Sequence, residues 1–102
     1  MNDSISKRLV LDHSNMRLRV GDVVKHFKRE NLNEYDDQLK YLYKILYCGF
    51  DTTNHVEIVV YVPLYDTDYD VFVRSVDEFF AKVDKKKYPE VQQEYVFEKV
   101  WS

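Results

Sequence analysis

Cysteine, glycine and proline are scarce. The 102-residue chain has one cysteine, two glycines and two prolines. A single cysteine, Cys48, excludes an internal disulfide and leaves no cysteine cluster for structural zinc. It lies in an apolar run, where a lone thiol reads as a small core hydrophobe and not as a reactive group. Long apolar runs are missing too: no stretch approaches the roughly 20 residues of a membrane-crossing helix. The opening "MNDSISKRLVLDHSN" has no signal-type apolar core, so the expectation is a soluble cytoplasmic protein with no membrane partner. Positive charge is not in excess. With 15 Lys and Arg against 18 Asp and Glu, the net charge is −3. Non-specific nucleic-acid affinity comes from clustered Lys and Arg, so this balance argues against a general polyanion binder but leaves room for a small local basic site.

Catalytic and metal-binding patterns are also absent from the sequence. The three histidines, His13, His26 and His55, are scattered, and none has a partner at metal-ligand spacing. Asp66, Asp68 and Asp70 alternate along one segment, but it lacks the glycine and terminal glutamate of a helix-loop-helix calcium site. They read as turn formers and edge-guarding charges. No metal or cofactor is expected, and an enzyme reading lacks a nucleophile or acid/base set.

What the chain has is aromatic residues: nine Tyr and six Phe. Tyrosine-rich and β-branched segments favour strands. Residues 1–15 read as an N-terminal tail, and 16–102 as a single β-rich domain. "MRLRV" alternates and runs into the Gly21-Asp22 turn signal. Val23 to Lys28 is a strand pattern with Val24, His26 and Lys28 on one face. The acidic, Asn-rich "RENLNEYDDQL" reads as a loop or short helix at 31–39, with a longer helix as the alternative. A strand at about 41–50 follows, with Tyr41, Tyr43, Ile45 and Tyr47 on one side, and "DTTN" closes it as a turn.

"HVEIVVYVPLY" is the clearest strand. Val56, Ile58, Val60, Val62 and Leu64 share one purely aliphatic face; Val59, Tyr61 and Tyr65 share the other. The tyrosine face is expected to be the less dry of the two, or else to be covered by something polar. Pro63 cannot donate to a ladder and marks an edge or bulge. "DTDYD" reads as a hairpin loop and "VFVR" as the returning strand. "SVDE" has capping-box spacing, which predicts a short helix over 76–82 that buries Phe79, Phe80 or Val83. Lys85 to Lys87 read as part of a solvated loop, and "EYVFEKVW" as a last strand. The expected fold is mainly β: a small, strongly bent antiparallel sheet or partly open barrel of SH3-like size, with one short helix.

The order of these blocks resembles a small bacterial domain family of unknown function, family 1653. Its pattern runs Gly-x-x-Tyr-Arg-His-Phe-Lys, Tyr-x-Val-Leu, Val-Val-Tyr-x-x-Leu-Tyr and Trp-Val-Arg-Pro-Leu-x-x-Phe-Phe. Here the blocks are Gly21 with Val24 to Lys28; Tyr43, Ile45 and Leu46; Val59 to Tyr61 with Leu64 and Tyr65; and Phe72 to Arg74 with Val76, Phe79 and Phe80. The resemblance covers about residues 21–83. Lys25, Val24, Phe72 and Ser75 depart from it, and about eleven residues are inserted after Lys28. It implies a compact, mainly β domain, places His26 and Lys28 in the same sheet as the hairpin, and implies no activity.

Five residues form the strongest candidate site: His26, Lys28, Tyr61, Tyr65 and Arg74. Hairpin pairing brings Arg74 near Tyr61 to Pro63. A guanidinium and an ammonium beside two phenols suit a small anionic ligand such as a nucleotide or a nucleic-acid end. Arg74 suits equally a structural clasp to Asp66 or Asp70. A protein-interaction module, for example a phage or mobile-element inhibitor, is the alternative function. Exposed aromatics and an edge strand would then contact a partner protein, and the same edge makes a homodimer conceivable.

Overall fold

The computed structural model describes residues 10–13 and 16–101. Among these residues there are seven strands: β1 (Val10–His13), β2 (Met16–Arg19), β3 (Val23–His26), β4 (Leu42–Asp51), β5 (Val56–Pro63), β6 (Phe72–Ser75) and β7 (Phe97–Trp101). Five of them form one antiparallel sheet in the order β6-β5-β4-β3-β7; β1 and β2 form a separate two-stranded ribbon. An α-helical turn, α1, spans Val76–Phe79. The fold is therefore mainly β, with an open sheet, as the strand pattern predicts. The N-terminal expectation falls largely outside the described residues; within it, Val10–His13 pairs with Met16–Arg19.

The sheet is bent enough to bring its two outer strands together. The Arg74 guanidinium on β6 lies 5.3 Å from the centre of the Phe97 ring on β7, although three strands separate them in the sheet. Phe97 also stacks on Phe79 at 4.5 Å, with the rings nearly parallel at 5°. The concave side is thus a cluster of rings and branched side chains, with Leu18, Val24, Tyr43, Ile45, Val59, Tyr61, Phe79, Phe80 and Phe97 buried together.

That core corrects the reading of β5. The tyrosine face is the dry one: Val59 and Tyr61 are buried, whereas Ile58, Val60 and Val62 are half-buried on the convex side. Aromatic rings carry more apolar area than branched side chains, and a buried Tyr needs only a partner for its hydroxyl. The neighbouring strand adds a second departure. A bulge between Ile45 and Tyr47 shifts the register, so Tyr47 turns outward instead of continuing the face of Tyr43 and Ile45.

Three segments end where local bonds divert them. β3 stops at His26 because its Nδ1 accepts from the Lys28 backbone N–H at 3.1 Å and caps a short 3-10 turn over Phe27–Asn31. Lys28 therefore does not share a strand face with His26. Residues 31–41 make successive turns and no long helix. Asn33 and Asp37 side chains accept from backbone N–H groups two residues on, and Asp36 accepts from Asn33, which competes with helical pairing. α1 opens on the expected cap, with Ser75 Oγ accepting from the Glu78 N–H. The Glu78 carboxylate accepts from the Ser75 hydroxyl, not from its backbone. The helix is shorter than the 76–82 expected because the chain joins the last segment instead: Val83 N–H donates to Glu94, and Val96 N–H donates to Ala81.

A second apolar cluster of Phe27, Val83 and Val91, with Tyr88 against it, fixes residues 80–96 to β3. Buried Gln93 stitches the junction. Its amide donates to the carbonyls of Lys25, Tyr95 and Val96, while Glu30 accepts from the Gln92 and Gln93 N–H groups. Lys85 is more than a solvated charge, since its ammonium reaches the carbonyls of Val91 and Gln93. Among the described residues no helix is long and apolar enough to cross a membrane.

Candidate functional site

Antiparallel pairing places the end of β3, the start of β4, the end of β5 and the starts of β6 and β7 at one rim of the bent sheet. Each contributes a side chain to a cavity of about 240 Å³, and the lining is His26, Lys28, Tyr41, Tyr43, Tyr61, Phe72, Arg74 and Phe97. Four of the five sequence-selected residues meet here. The fifth, Tyr65, is not in the lining. Its hydroxyl is 2.5 Å from that of Tyr43 and its ring packs edge-on against Tyr41 and Tyr43, so it braces the wall from behind.

The hairpin register differs slightly from expectation. Arg74 pairs with Val59, and Phe72 with Tyr61. Arg74 nevertheless reaches Tyr61: its Nε donates to the Tyr61 hydroxyl at 3.1 Å while its guanidinium carbon lies over the Phe97 ring. The arginine is therefore turned inward over the aromatic floor, and only one of its donors is used by Tyr61. Cation–π contact with Phe97 and the phenol bond hold its position.

His26 forms the side wall. Its ring packs on Phe27 at 4.4 Å and edge-on to Phe97 at 5.1 Å. Burial pushes its imidazole down from 6.5 to about 4, and the positive charges of Lys28 and Arg74 push the same way. The ring is neutral at pH 7. Because Nδ1 accepts from Lys28, the proton sits on Nε2, a donor without an acceptor among the described residues. Burial also raises the Tyr43 hydroxyl, with the Tyr65 hydrogen bond acting in the same direction. The Tyr61 hydroxyl is raised by burial too, and Arg74 opposes the shift. All of these phenols remain protonated donors at neutral pH.

The lining holds two cations, Arg74 and Lys28, and no carboxylate. On a chain of net charge −3, this is a local positive site walled by rings. Tyr41, Tyr43, Phe72 and Phe97 escaped sequence reasoning as site residues. Tyr41 and Tyr43 share a face in the alternating strand pattern and Phe97 alternates in the last strand, but alternation does not separate cavity lining from core. The placement of Tyr41 rests on a left-handed backbone conformation, φ 65°, that the pattern does not announce. Asp66 and Asp70 are exposed and do not line the cavity. Among the described residues no three His, Cys, Asp or Glu side chains come together as a metal site.

Fold and site together define a small, bent antiparallel β domain with an aromatic cavity rimmed by cations. The chain belongs to the family described as protein of unknown function DUF1653, whose model matches residues 22–98. That match extends beyond the blocks the sequence pattern aligns, taking in Phe97 and the loop that carries Tyr88. No curated protein and no solved structure matches the chain.

Proposed function

We propose that the protein is a non-enzymatic binding module for a small planar anion, with a nucleotide as the best fit. One observation carries this reading: Arg74 and Lys28 enter a ring-walled cavity that contains no carboxylate to neutralise them. A phosphate suits the free donors of the guanidinium fork, and a base suits the flat faces of the tyrosines. The neutral His26 and the phenol hydroxyls supply hydrogen bonds that would orient the ring. The volume lies just under the roughly 300–1,000 Å³ of sites for drug-sized ligands, which suits one ring system.

The test is a thermal-shift comparison of nucleoside 5′-monophosphates, free nucleosides and inorganic phosphate. A monophosphate at ten times its Kd stabilises by about 1.4 kcal/mol, a Tm rise of roughly 5–10 °C for a chain of this size. We expect monophosphates to raise Tm more than nucleoside or phosphate alone. Arg74→Gln, which keeps a neutral donor for Tyr61, should remain folded and lose the shift. Absence of any shift with millimolar nucleotide would contradict the proposal.

The protein-interaction alternative also has an observation in its favour. Tyr47, Val60 and Val73 are cross-strand neighbours in a row over β4, β5 and β6 on the convex face. Tyr47 and Val73 are 64% and 57% exposed, and β6 is an outer strand of the sheet. A second copy of the chain is the occupant this row would take. Light scattering across a concentration series checks it: a dimer abolished by Val73→Lys supports this reading, and a monomer at all concentrations rejects it.

A further inference from the structure

We infer that the ligand is longer than one nucleotide: a second cavity beside the first takes the adjacent nucleotide of a single-stranded nucleic-acid end. This deepens the proposed function and rests on it. The second cavity has a volume of about 300 Å³, and its lining includes Phe27, Leu32, Lys40 and Tyr88 together with Lys28 and Tyr41, which it shares with the first. Lys28 and Tyr41 therefore stand between two adjoining hollows.

Tyr41 is held as a divider. Its φ of 65° is a left-handed conformation that a bulky residue adopts only when its surroundings impose it. Those surroundings are visible: the Tyr41 carbonyl accepts from the His26 N–H at 3.0 Å, and its ring packs edge-on to Tyr65 at 5.8 Å. The loop forming the outer wall is braced as well. Arg29 Nη1 donates to the Gln38 carbonyl at 2.8 Å and the Lys40 carbonyl at 2.7 Å, and the Gln38 amide donates to the Asn33 and Asp36 carbonyls. Residues 29–40 are thus folded back on themselves to present Lys40 at the cavity.

The chemistry repeats from one hollow to the next. Tyr88 offers a ring held by Phe27, which lines the same cavity and lies tilted against it at 4.9 Å, while in the first cavity Phe79 stacks on Phe97 at 4.5 Å. Lys40 lies 5.3 Å from the Tyr41 ring and Lys87 lies 5.5 Å from the Tyr88 ring. The one acidic side chain in the lining, Asp36, accepts from the Asn33 N–H at 2.9 Å and so is engaged in its own turn. Successive rings with cations between them are how proteins hold unpaired strands, the rings stacking on bases and the cations following the phosphates. Lys28, at the shared rim, lies where a bridging phosphate would pass. A duplex would not fit this use, because its bases are already stacked on one another.

The experiment compares thymidine 5′-monophosphate with the 5′-phosphorylated dinucleotide pTpT by calorimetry at constant salt. The dinucleotide should bind about tenfold tighter, the order expected for one further base on an aromatic platform. Lys40→Gln and Tyr88→Leu should each remove most of that gain and leave the mononucleotide affinity unchanged, whereas Arg74→Gln should weaken both ligands. Lys40→Gln leaves the Arg29 bond to the Lys40 carbonyl in place, so the loop keeps its shape. Equal affinity for the two ligands, or equal loss of both in Lys40→Gln, would overturn the extension and leave the first cavity's role standing. Failure of both ligands to bind would overturn the proposed function along with it.

Discussion

Acidification should destabilise the fold through His26, and the size of the effect follows from its surroundings. The imidazole is walled in by Phe27 and Phe97 and faces two cations, which lowers it from 6.5 to about 4. The unfolded chain therefore takes up the proton first as pH falls. The His26 contribution is complete above about pH 6.5, declines below it, and is gone once pH passes below about 4. A shift of this size corresponds to at most about 3 kcal/mol, and solvent at the cavity mouth reduces it to about 2 kcal/mol. The clean perturbation is His26→Asn, whose side-chain oxygen can still accept from the Lys28 N–H and cap the 3-10 turn. The variant loses ring packing, about 1 kcal/mol at neutral pH, but gains no protonation penalty. Urea unfolding followed by circular dichroism at fixed ionic strength, from pH 7.5 to 4, gives the stability difference between the two proteins. Carboxylate titrations common to both cancel in that difference. Wild type should lose about 2 kcal/mol relative to the variant over this range. A difference that is flat with pH, or that moves the other way, would refute the reasoning that His26 is neutral and buried between cations.

Further substitutions probe the frame that holds the cavity. Tyr43→Phe removes a hydroxyl bonded to Tyr65 and should cost about 1 kcal/mol by urea unfolding. A double-mutant cycle with Tyr65→Phe should show coupling between them. Gln93→Leu leaves the Lys25, Tyr95 and Val96 carbonyls without the amide that serves them; about 2–3 kcal/mol should be lost, with faster amide exchange in the 91–96 segment. Ser75→Ala removes the cap of α1 and should cost about 1 kcal/mol in the same unfolding assay, with no change in ligand affinity.

The sequence and the structure agree most where short-range chemistry decides the outcome. The β5–β6 hairpin, the Ser75 cap and the turn at residues 51–54 each rest on neighbours within a few positions, and their patterns are plain. Alternation separates the two faces of β5, but the expectation of a less dry tyrosine face fails, since Val59 and Tyr61 are buried there. Alternation shows that faces differ; which is dry depends on whether tyrosine hydroxyls find partners across the sheet, and Tyr43–Tyr65 and Arg74–Tyr61 supply them. The bulge after Ile45 left no mark in the sequence, since it answers to the curvature of the whole sheet. Within the site, His26, Lys28, Tyr61 and Arg74 were legible as polar or cationic residues in otherwise apolar strands. Phe72 and Phe97 were not, because a phenylalanine lining a cavity and one filling a core look alike until the strands close round them.

The most direct test of the anion site is an NMR titration of the isotope-labelled protein with thymidine 5′-monophosphate, followed at the Arg74 side-chain Nε–H and the His26 ring. Nucleotide bound at Arg74 should give saturable shifts at both, with smaller ones at Lys28 and Tyr61, and their loss in Arg74→Gln. Shifts confined to Tyr47, Val60 and Val73 on the convex face, or none at all, would contradict it.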